Sequence, residues 1–340
     1  MTPFDGDDKC LWLASCGRDL IDLCLRRDAE LHRLLSNTRI FPAHLAADDH
    51  RIAGRDWLNL VRNCRRQVPV DDLAFVAAEA MLANRDHAFL QMLQCAPDLA
   101  RALRVWHRLR GSFLPLLQIG LGGGDRELSL YLRPAIGLQG QDRFVTELTI
   151  SLLLGLLRHQ LRERDPTPAV ELAWPCPADV ESYRLHWRIE PAFDAPVSRV
   201  RIPYPLLFQP FADADAARFA ALQTRLRARL DDGGRRVGLL EFLRRRLRRA
   251  LPQTLALEQA AASLSMSRSS LKRMLRQHGT SYGELVDEVR AELAWTLLRE
   301  RRWPNPRVAQ RLGYANAHNF RRAFKRWTGR PPSAALTPAR

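Results

Sequence analysis

The chain of 340 residues is 46% hydrophobic and 26% charged, which is the balance of a globular protein and excludes a disordered tail. The length gives room for two domains of ordinary size. The formal net charge of +16 is confined to one end, because residues from Arg235 onward hold 23 Lys and Arg against 7 Asp and Glu, whereas residues 1–234 hold 30 of each. A neutral region followed by a basic one is typical of a protein that binds a polyanion through one part only.

The cysteine pattern and the apolar runs bear on cofactors and compartment. The six cysteines include no Cys-x-x-Cys pair, so the sequence predicts no metal site and no other cofactor. The N-terminus lacks a signal-peptide pattern, and the most apolar run, Ile150 to Leu157, is far shorter than the ~20 residues of a membrane-spanning helix. We therefore expect a cytoplasmic protein with reduced thiols and no membrane association.

The first 120 residues are predicted to be mainly helical. Leucines recur at helical spacing from Leu20 to Leu35, and apolar residues do so again from Val70 to Leu93. A glycine-rich stretch, Gly120 to Gly124, follows. Its sixth position, where a dinucleotide-binding fingerprint needs glycine, is Asp125, and no Gly-Lys-Ser or Gly-Lys-Thr follows, so we interpret the stretch as a turn.

Strands dominate the next segment. Residues Glu127 to Arg133 alternate as a half-buried strand does, and a helix is predicted from about Arg143 to Arg162. Strand-like runs then recur, separated by proline and aspartate, at Ala169 to Trp174, Tyr183 to Ile189 and Val197 to Ile202. The N-terminal domain is therefore predicted to be α+β.

Aromatic and imidazole side chains in this segment are the candidates for an effector pocket: Tyr131, Trp174, His186 and Trp187. Packing in the core or at the surface is the competing interpretation of these residues. Side chains of catalytic type are present only as ordinary scatter, at His159, Asp179, Ser182, His186 and Glu190, and none stands in a nucleophile elbow or another catalytic constellation. The sequence therefore predicts no catalytic residue.

A helix predicted from Asp215 to Leu230 carries one narrow apolar stripe, formed by Phe219, Leu222, Leu226 and Leu230. Such a stripe suits pairing with another helix, either in a dimer of two copies or within its own domain. The residues after it, Asp231-Asp232-Gly233-Gly234, indicate a hinge. We expect an effector-sensing and dimerisation domain at 1–232, a hinge at 233–236 and a second domain at 237–340.

The basic region contains two helix pairs of one design. An opening helix from Val237 to Leu251 precedes the first pair, Leu257 to Leu275, and a linking helix from Tyr282 to about Arg301 leads to the second, Pro306 to Trp327. Each pair is predicted to be a helix-turn-helix. Ser267 is the predicted cap of one second helix and Asn316 precedes the other, while Asn305 is predicted to cap the helix that starts with Pro306.

Residues 237 to 335 resemble the DNA-binding domain of the AraC/XylS family of bacterial transcription regulators. The resemblance rests on Gly313-Tyr314, Phe320, Arg322 to Trp327, Gly329 and Pro331 or Pro332, and on Val289-Arg290, Ala294 and Leu297-Leu298 in the linking helix. Three positions depart from the family pattern: Ser265 replaces the usual turn glycine, Ala256 replaces a capping Ser or Thr, and Ala315 to Asn319 is an unusual loop and helix start. More loosely, the Phe193 segment and Val200 to Pro203 are similar to an N-terminal domain of one AraC subgroup, labelled arabinose-binding type.

The resemblance implies an all-α DNA-binding domain with two recognition helices. The side chains that it places at or beside the DNA are Ser267, Ser269, Lys272, Arg273, Asn316, His318, Arg321 and Arg322. The implied function is a transcription regulator that responds to a small-molecule effector and binds promoter or operator DNA through adjacent major grooves. A homodimer is expected, with RNA polymerase as a partner if the protein is an activator. The alternative is a nucleic-acid-processing enzyme with a basic DNA-delivery domain, which needs a cavity lined by convergent acids or metal ligands in the first domain.

Overall fold

The computed structural model describes residues 3–124, 126–161, 166–231, 237–299, 301–329 and 331–333. The chain divides into two compact units, one from Pro3 to Gly238 and one from Leu239 onward. The predicted hinge at 233–236 lies outside the described residues.

The first unit is built mainly of helices, with two short 3-10 helices at Pro42–Leu45 and Arg110–Ser112. The helices are α1 (Leu13–Cys16), α2 (Arg18–Leu25), α3 (Leu31–Leu34), α4 (Gly54–Gln67), α5 (Leu73–Ala83), α6 (Ala88–Gln94), α7 (Leu99–Leu109), α8 (Asp142–Gln160), α9 (Glu181–Trp187), α10 (Tyr204–Leu207) and α11 (Ala216–Asp231). The helix-rich start predicted from leucine spacing is confirmed.

Two antiparallel sheets complete the first unit. Strands β1 (Lys9–Trp12) and β2 (Arg51–Ala53) form a ribbon. A four-stranded sheet consists of β3 (Leu117–Gly123), β4 (Glu127–Pro134), β5 (Ala169–Glu171) and β6 (Ser198–Pro203), in the order β3-β4-β6-β5. The glycine stretch was interpreted as a turn, and this is wrong for Gly120 to Gly123, which pair with β4.

The core of the first unit forms around α8, whose residues from Phe144 to Leu157 are all buried. Helix α5 lies directly against it, because a Cβ on Gly155 would stand 2.4 Å from the Leu82 Cδ1 atom. Because this part of the helix is covered on all sides, the run from Ile150 to Leu157 can be apolar on every face of the helix. In the described ranges, no helix is long and apolar enough to cross a membrane.

The prediction of a strand from Tyr183 to Ile189 is wrong, because residues Glu181 to Trp187 form α9. A strand would place Tyr183, Leu185 and Trp187 on one face. In the structure Tyr183 and Trp187, four residues apart, are buried, while Leu185 between them is 70% exposed. Burial therefore follows the helical period. The sequence did not show this, because two aromatic residues four positions apart fit a short strand as well as a short helix.

Helix α6 begins at a buried histidine. The Leu90 amide donates to Nδ1 of His87 at 3.3 Å, and Nε2 lies 2.7 Å from the carbonyl oxygen of Ser15. Because an amide only donates and a carbonyl only accepts, Nε2 carries the proton and the ring is neutral. Burial lowers the pKa of His87, and the nearby Asp19 carboxylate offsets part of this effect.

The apolar stripe of α11 packs against its own unit. Leu226 is 1% exposed, and Phe219, Leu222 and Leu230 lie partly buried on the same core, where α11 contacts α6 and α7. The predicted dimer contact along this stripe is wrong for Leu226, because its side chain has no exposed surface for a partner. The other three side chains pack against the core of their own unit. The competing interpretation, packing within the domain, describes this helix.

The second unit consists of six helices among its described residues. They are α12 (Leu239–Ala250), α13 (Leu257–Ala262), α14 (Arg268–Gln277), α15 (Tyr282–Arg299), α16 (Asn305–Arg311) and α17 (Ala317–Thr328). Two hydrophobic clusters lie along α15, one with Leu285 and Val289 and one from Leu293 to Leu298. The first half of α15 thus supports α12, α13 and α14, and the second half supports α16 and α17.

Candidate DNA-binding surface

The helix pairs α13–α14 and α16–α17 match in the order of their parts, with one extra residue, Ala315, in the second turn. Ala260 and Ala261 are buried in the first pair, as are Val308 and Ala309 in the second. Buried side chains anchor the second helix of each pair in the core: Leu271 and Leu275 in α14, and Phe320 and Phe324 in α17. The two predicted helix-turn-helix units are therefore present, each with its second helix anchored by two large side chains one turn apart.

Both turns pass through one residue in the left-handed region. It is Ser265 (φ 54°) in the first pair and Gly313 (φ 80°) in the second. The following amide closes each turn, with Met266 N donating to Ala261 O at 3.0 Å and Tyr314 N to Ala309 O at 2.9 Å. Serine is strained there, by about 1–2 kcal/mol, so its replacement of the family glycine is a real departure.

Each recognition helix starts at a side-chain cap. Ser267 Oγ accepts from Ser270 N at 3.1 Å, and Asn316 Oδ1 accepts from Asn319 N at 2.9 Å. The predicted cap Asn305 is wrong, because Pro304 is the capping residue and Asn305 is already helical. Proline at the second position of α16 needs no amide partner, so the helix starts well without a capping side chain.

The outward faces of α14 and α17 carry the same polar stripe. Counting from the second residue of each helix as i, the positions i, i+3, i+4 and i+7 are Ser269, Lys272, Arg273 and Arg276 in α14, and His318, Arg321, Arg322 and Lys325 in α17. All eight side chains are exposed. Six of them were predicted from the sequence. Arg276 and Lys325 were missed, although continuing the stripe by one turn from the predicted positions would have found both.

Ion pairs within the second unit show which basic side chains of α14 and α17 already have a carboxylate partner. Arg268 Nε lies 2.9 Å from Glu258, and Arg326 Nη2 lies 2.8 Å from Asp287. Among the residues that the structure describes, no carboxylate pairs with the six basic side chains of the two stripes, which are Lys272, Arg273, Arg276, Arg321, Arg322 and Lys325. These cations remain available to an external anion.

Arginines of α12 are largely used within the unit. Arg244 Nε lies 3.0 Å from Glu288, and Arg248 Nη1 lies 3.0 Å from Glu292, both acids belonging to α15. The guanidinium group of Arg248 thus connects α12 to the linking helix.

Two family models match the chain. Residues 29–211, more than half of it, match the arabinose-binding domain of AraC transcription regulators, N-terminal part, and residues 260–337 match a helix-turn-helix domain. The chain belongs to the AraC family of transcription regulators. The family resemblance and the fold class predicted from the sequence, α+β followed by an all-α double helix-turn-helix domain, are confirmed.

Relatives of this AraC-family protein are named as regulators. The ornithine utilization regulator of Pseudomonas aeruginosa is 26% identical over 317 residues, which cover 92% of this chain and 93% of the relative. The regulator VqsM of the same organism is 39% identical over 69 residues, 20% of this chain and 21% of its own. The crystal structure of the P. aeruginosa transcriptional regulator CdpR covers 93% of this chain and 96% of that chain, with 20% identity and a TM-score of 0.40. Its family makes the protein a DNA-binding transcription regulator.

Three of the four residues predicted for the regulator's effector pocket lie in one aromatic cluster of the core. Trp174 Nε1 approaches the Tyr183 hydroxyl at 3.4 Å, Trp187 Nε1 donates to Ser151 Oγ at 2.8 Å, and the His186 ring stacks on a phenylalanine, Phe75, at 5.0 Å. The fourth residue, Tyr131, is buried on β4, where it pairs with Gly120 and Arg199.

A cavity of about 530 Å³ lies elsewhere in the first unit, beside α5, α6 and the end of α8. None of the four predicted effector residues lines it. Its lining carries both signs of charge, with Glu79 and Asp213 as acids and Arg158 and Arg188 as bases. Among the described residues there is no group of three or more His, Cys, Asp and Glu that could hold a metal ion.

Proposed function

We propose that this AraC-family regulator places α14 and α17 in successive major grooves of one DNA duplex. The observation that carries the proposal is the repeated stripe of exposed polar and basic side chains, which has the same four positions on both helices. The linking helix α15 has 18 residues, hence a length of ~27 Å. This is close to the ~34 Å between successive major grooves on one face of B-DNA.

The side chains of the stripes suit base and phosphate recognition. Arg273, Arg321 and Arg322 can each donate two hydrogen bonds to O6 and N7 of guanine, and Lys272 can bond either a base or a phosphate. The two helix N-termini, capped by Ser267 and Asn316, present unpaired amides that favour phosphate. Phosphate contacts would set the register, and the arginines would supply the discrimination between sequences.

The experiment selects duplexes from a random pool with the full chain and then compares two variants on the selected site. Arg322→Ala should weaken the selected site by about 1–3 kcal/mol and relax one base position. Arg326→Ala is the matched control, since that side chain lies on the same helix and is paired with Asp287. Equal losses for Arg322→Ala on selected and random duplexes would contradict base recognition by this residue.

Salt dependence provides an independent measurement. Each phosphate contact that is lost should reduce the slope of log affinity against log salt by about one. We expect Lys325→Ala to reduce this slope on all duplexes alike, because its position at the end of the α17 stripe suits the backbone. A full chain whose affinity for DNA does not change with salt would contradict the proposed surface.

The first unit would sense a small molecule. Its cavity of about 530 Å³ falls in the range of ligand sites, and the mixed charges of its lining suit a molecule that carries both signs. The ornithine utilization regulator is named for such a molecule. Calorimetric titration of the full chain with ornithine, and with putrescine as a control that lacks the carboxylate, tests this assignment. Arg188→Asn should abolish any preference for the carboxylate, and a preference that survives in the variant would exclude Arg188.

The regulator would act in the cytoplasm, without enzymatic activity. A homodimer holding two DNA sites, and RNA polymerase as a partner in activation, complete the proposal. Gel-shift titrations with duplexes that carry one or two copies of the selected site would measure cooperation between copies of the protein.

A further inference from the structure

Strand β3 forms one edge of the four-stranded sheet, and half of its backbone groups point away from β4. Ala135 N donates to Leu116 O at 2.7 Å, and Gly124 N donates to Glu127 O at 3.0 Å. These two bonds flank β3 and set the alternation of an antiparallel pair, in which the even-numbered residues of β3 bond to β4. The odd-numbered residues, Leu117, Ile119, Leu121 and Gly123, therefore direct their N–H and C=O groups outward.

These outward groups have no partner within the part of the chain that the structure describes. The opposite edge of the sheet is treated differently. There the segment at Ala192 covers β5, with Leu172 N donating to Ala192 O at 2.8 Å and Ala192 N donating to Val170 O at 2.9 Å. An edge strand left open is a template for another strand unless charge, proline or a bulge blocks it.

Strand β3 carries none of these protections. Residues Leu117 to Gly124 include no charged residue and no proline, and the β3–β4 register runs without a bulge. In the middle of the edge, Leu121 is a large apolar side chain that is 60% exposed. The strand thus combines unpaired backbone groups with an apolar group in water.

We propose that β3 pairs in antiparallel fashion with β3 of a second copy of this chain, around a two-fold axis at Gly120. In this register Ile119 lies opposite the partner's Leu121, and Leu117 lies opposite the partner's Gly123. Ile119 and Leu121 then stand in hydrogen-bonded positions, so their outward N–H and C=O groups in each copy meet their complements. Leu117 is only 4% exposed, so the pairing is confined to the middle of the strand. The two four-stranded sheets become one sheet of eight strands.

Side chains fit this register on both faces. On the face shared with the core, Ile119 and Leu121 form apolar pairs across the axis, and the exposed surface of Leu121 is covered. On the other face Gly120 meets its own copy at a non-hydrogen-bonded position, where Cα atoms approach to about 4.5 Å. Glycine offers no side chain to collide there. Strand β3 itself carries no charge, so like charges do not meet within the paired strands; the Arg133 guanidinium of β4 in each copy lies beside Gly120, with Nη1 3.6 Å from the position of a Cβ there.

The size of the contact sets the strength of the dimer. Seven residues make a strand of about 24 Å, and pairing along one edge buries much less than the ~800 Å² per partner of a standard stable interface. The dimer is therefore weak and concentration-dependent by itself. A duplex with two sites would strengthen it, because the second copy then binds at high effective concentration.

Sedimentation equilibrium of the full chain, from about 1 to about 200 µM, measures this dimer. We expect a reversible rise in mass over that range. Leu121→Lys should abolish the rise, because it replaces the apolar pair with Ile119 by a charge on each side of the axis. Leu185→Lys is the matched control, since Leu185 is also largely exposed, at 70%, in the same unit but lies on α9. A strictly monomeric chain, or equal effects of the two lysine variants, would overturn the proposal.

Cross-linking tests the register. Gly120→Cys should form a disulfide between copies on mild oxidation, because the Cα separation at the axis falls within disulfide range. Gly123→Cys should not, since the two positions would stand about 20 Å apart along the paired strands. The unmodified chain, which has one exposed thiol at Cys176, gives the background. Cross-linking at Gly123 but not at Gly120 would exclude the two-fold axis proposed here.

Discussion

Replacing Gly313 with alanine tests how the second helix-turn-helix is held. Gly313 has φ 80°, and a Cβ at this position would lie 2.1 Å from the carbonyl oxygen of Pro252. Gly279 has φ 71° but meets nothing within 4 Å. Both alanines suffer the left-handed strain of about 1–2 kcal/mol, and only the Gly313 variant must also displace neighbouring backbone, at about 1–3 kcal/mol more. We therefore expect Gly313→Ala to cost about 2–5 kcal/mol and Gly279→Ala about 1–2 kcal/mol.

Native-state hydrogen exchange of the full chain, followed by mass spectrometry, measures the two costs separately. Peptides from α16 and α17 report on Gly313→Ala, and peptides from α14 and α15 report on Gly279→Ala. The difference of about 1–3 kcal/mol corresponds to a roughly 5- to 150-fold greater loss of protection at Gly313. If both variants lose protection equally, the contact with Pro252 does not limit this turn, and strain alone accounts for the glycine.

Three other perturbations have expected outcomes. Burial lowers the pKa of His87 in the folded state, so its contribution to the free energy of unfolding is fully present above the unfolded pKa of about 6.5 and decreases as the pH falls below that value. Urea unfolding of the His87→Gln variant should not show this pH dependence. Leu226→Ala should cost about 2–5 kcal/mol in thermal unfolding without changing the sedimentation behaviour, whereas dissociation without destabilisation would restore the dimer contact on α11. Ser267→Ala should cost about 1 kcal/mol of exchange protection in α14, and no change would mean that another group caps the helix.

The second unit could be predicted in detail because its local signals agree with one another. Ser267 and Asn316 are capping residues by type, and the large apolar residues Leu271 and Phe320 follow each at helical spacing. Repetition of the pattern removed the ambiguity that a single short helix pair would have had. The cap at Asn305 failed because proline can start a helix at its second position as well as its first.

The first unit was predicted only in outline, because some of its residues have local patterns that fit more than one structure. Tyr183 and Trp187 are aromatic, as strand residues often are, and a segment of seven residues is too short to separate the two periods. Gly120 and Gly122 are turn-like residues, but β4 supplies the Tyr131 side chain against that face, so β3 continues through them. The cavity is formed by residues far apart in sequence, such as Glu79 and Arg188, and no local pattern indicates it.

Because one helix, α15, is shared by both hydrophobic clusters, the spacing of the two recognition helices has little tolerance for insertions and deletions. One residue added between Val289 and Leu293 would move the second helix pair by about 1.5 Å along the axis and rotate it by about 100° around it. The turns are different, since the second accommodates Ala315, which has no counterpart in the first. In homologous regulators, changes of length should therefore collect in the turns, while α15 changes its residues but keeps its number of them.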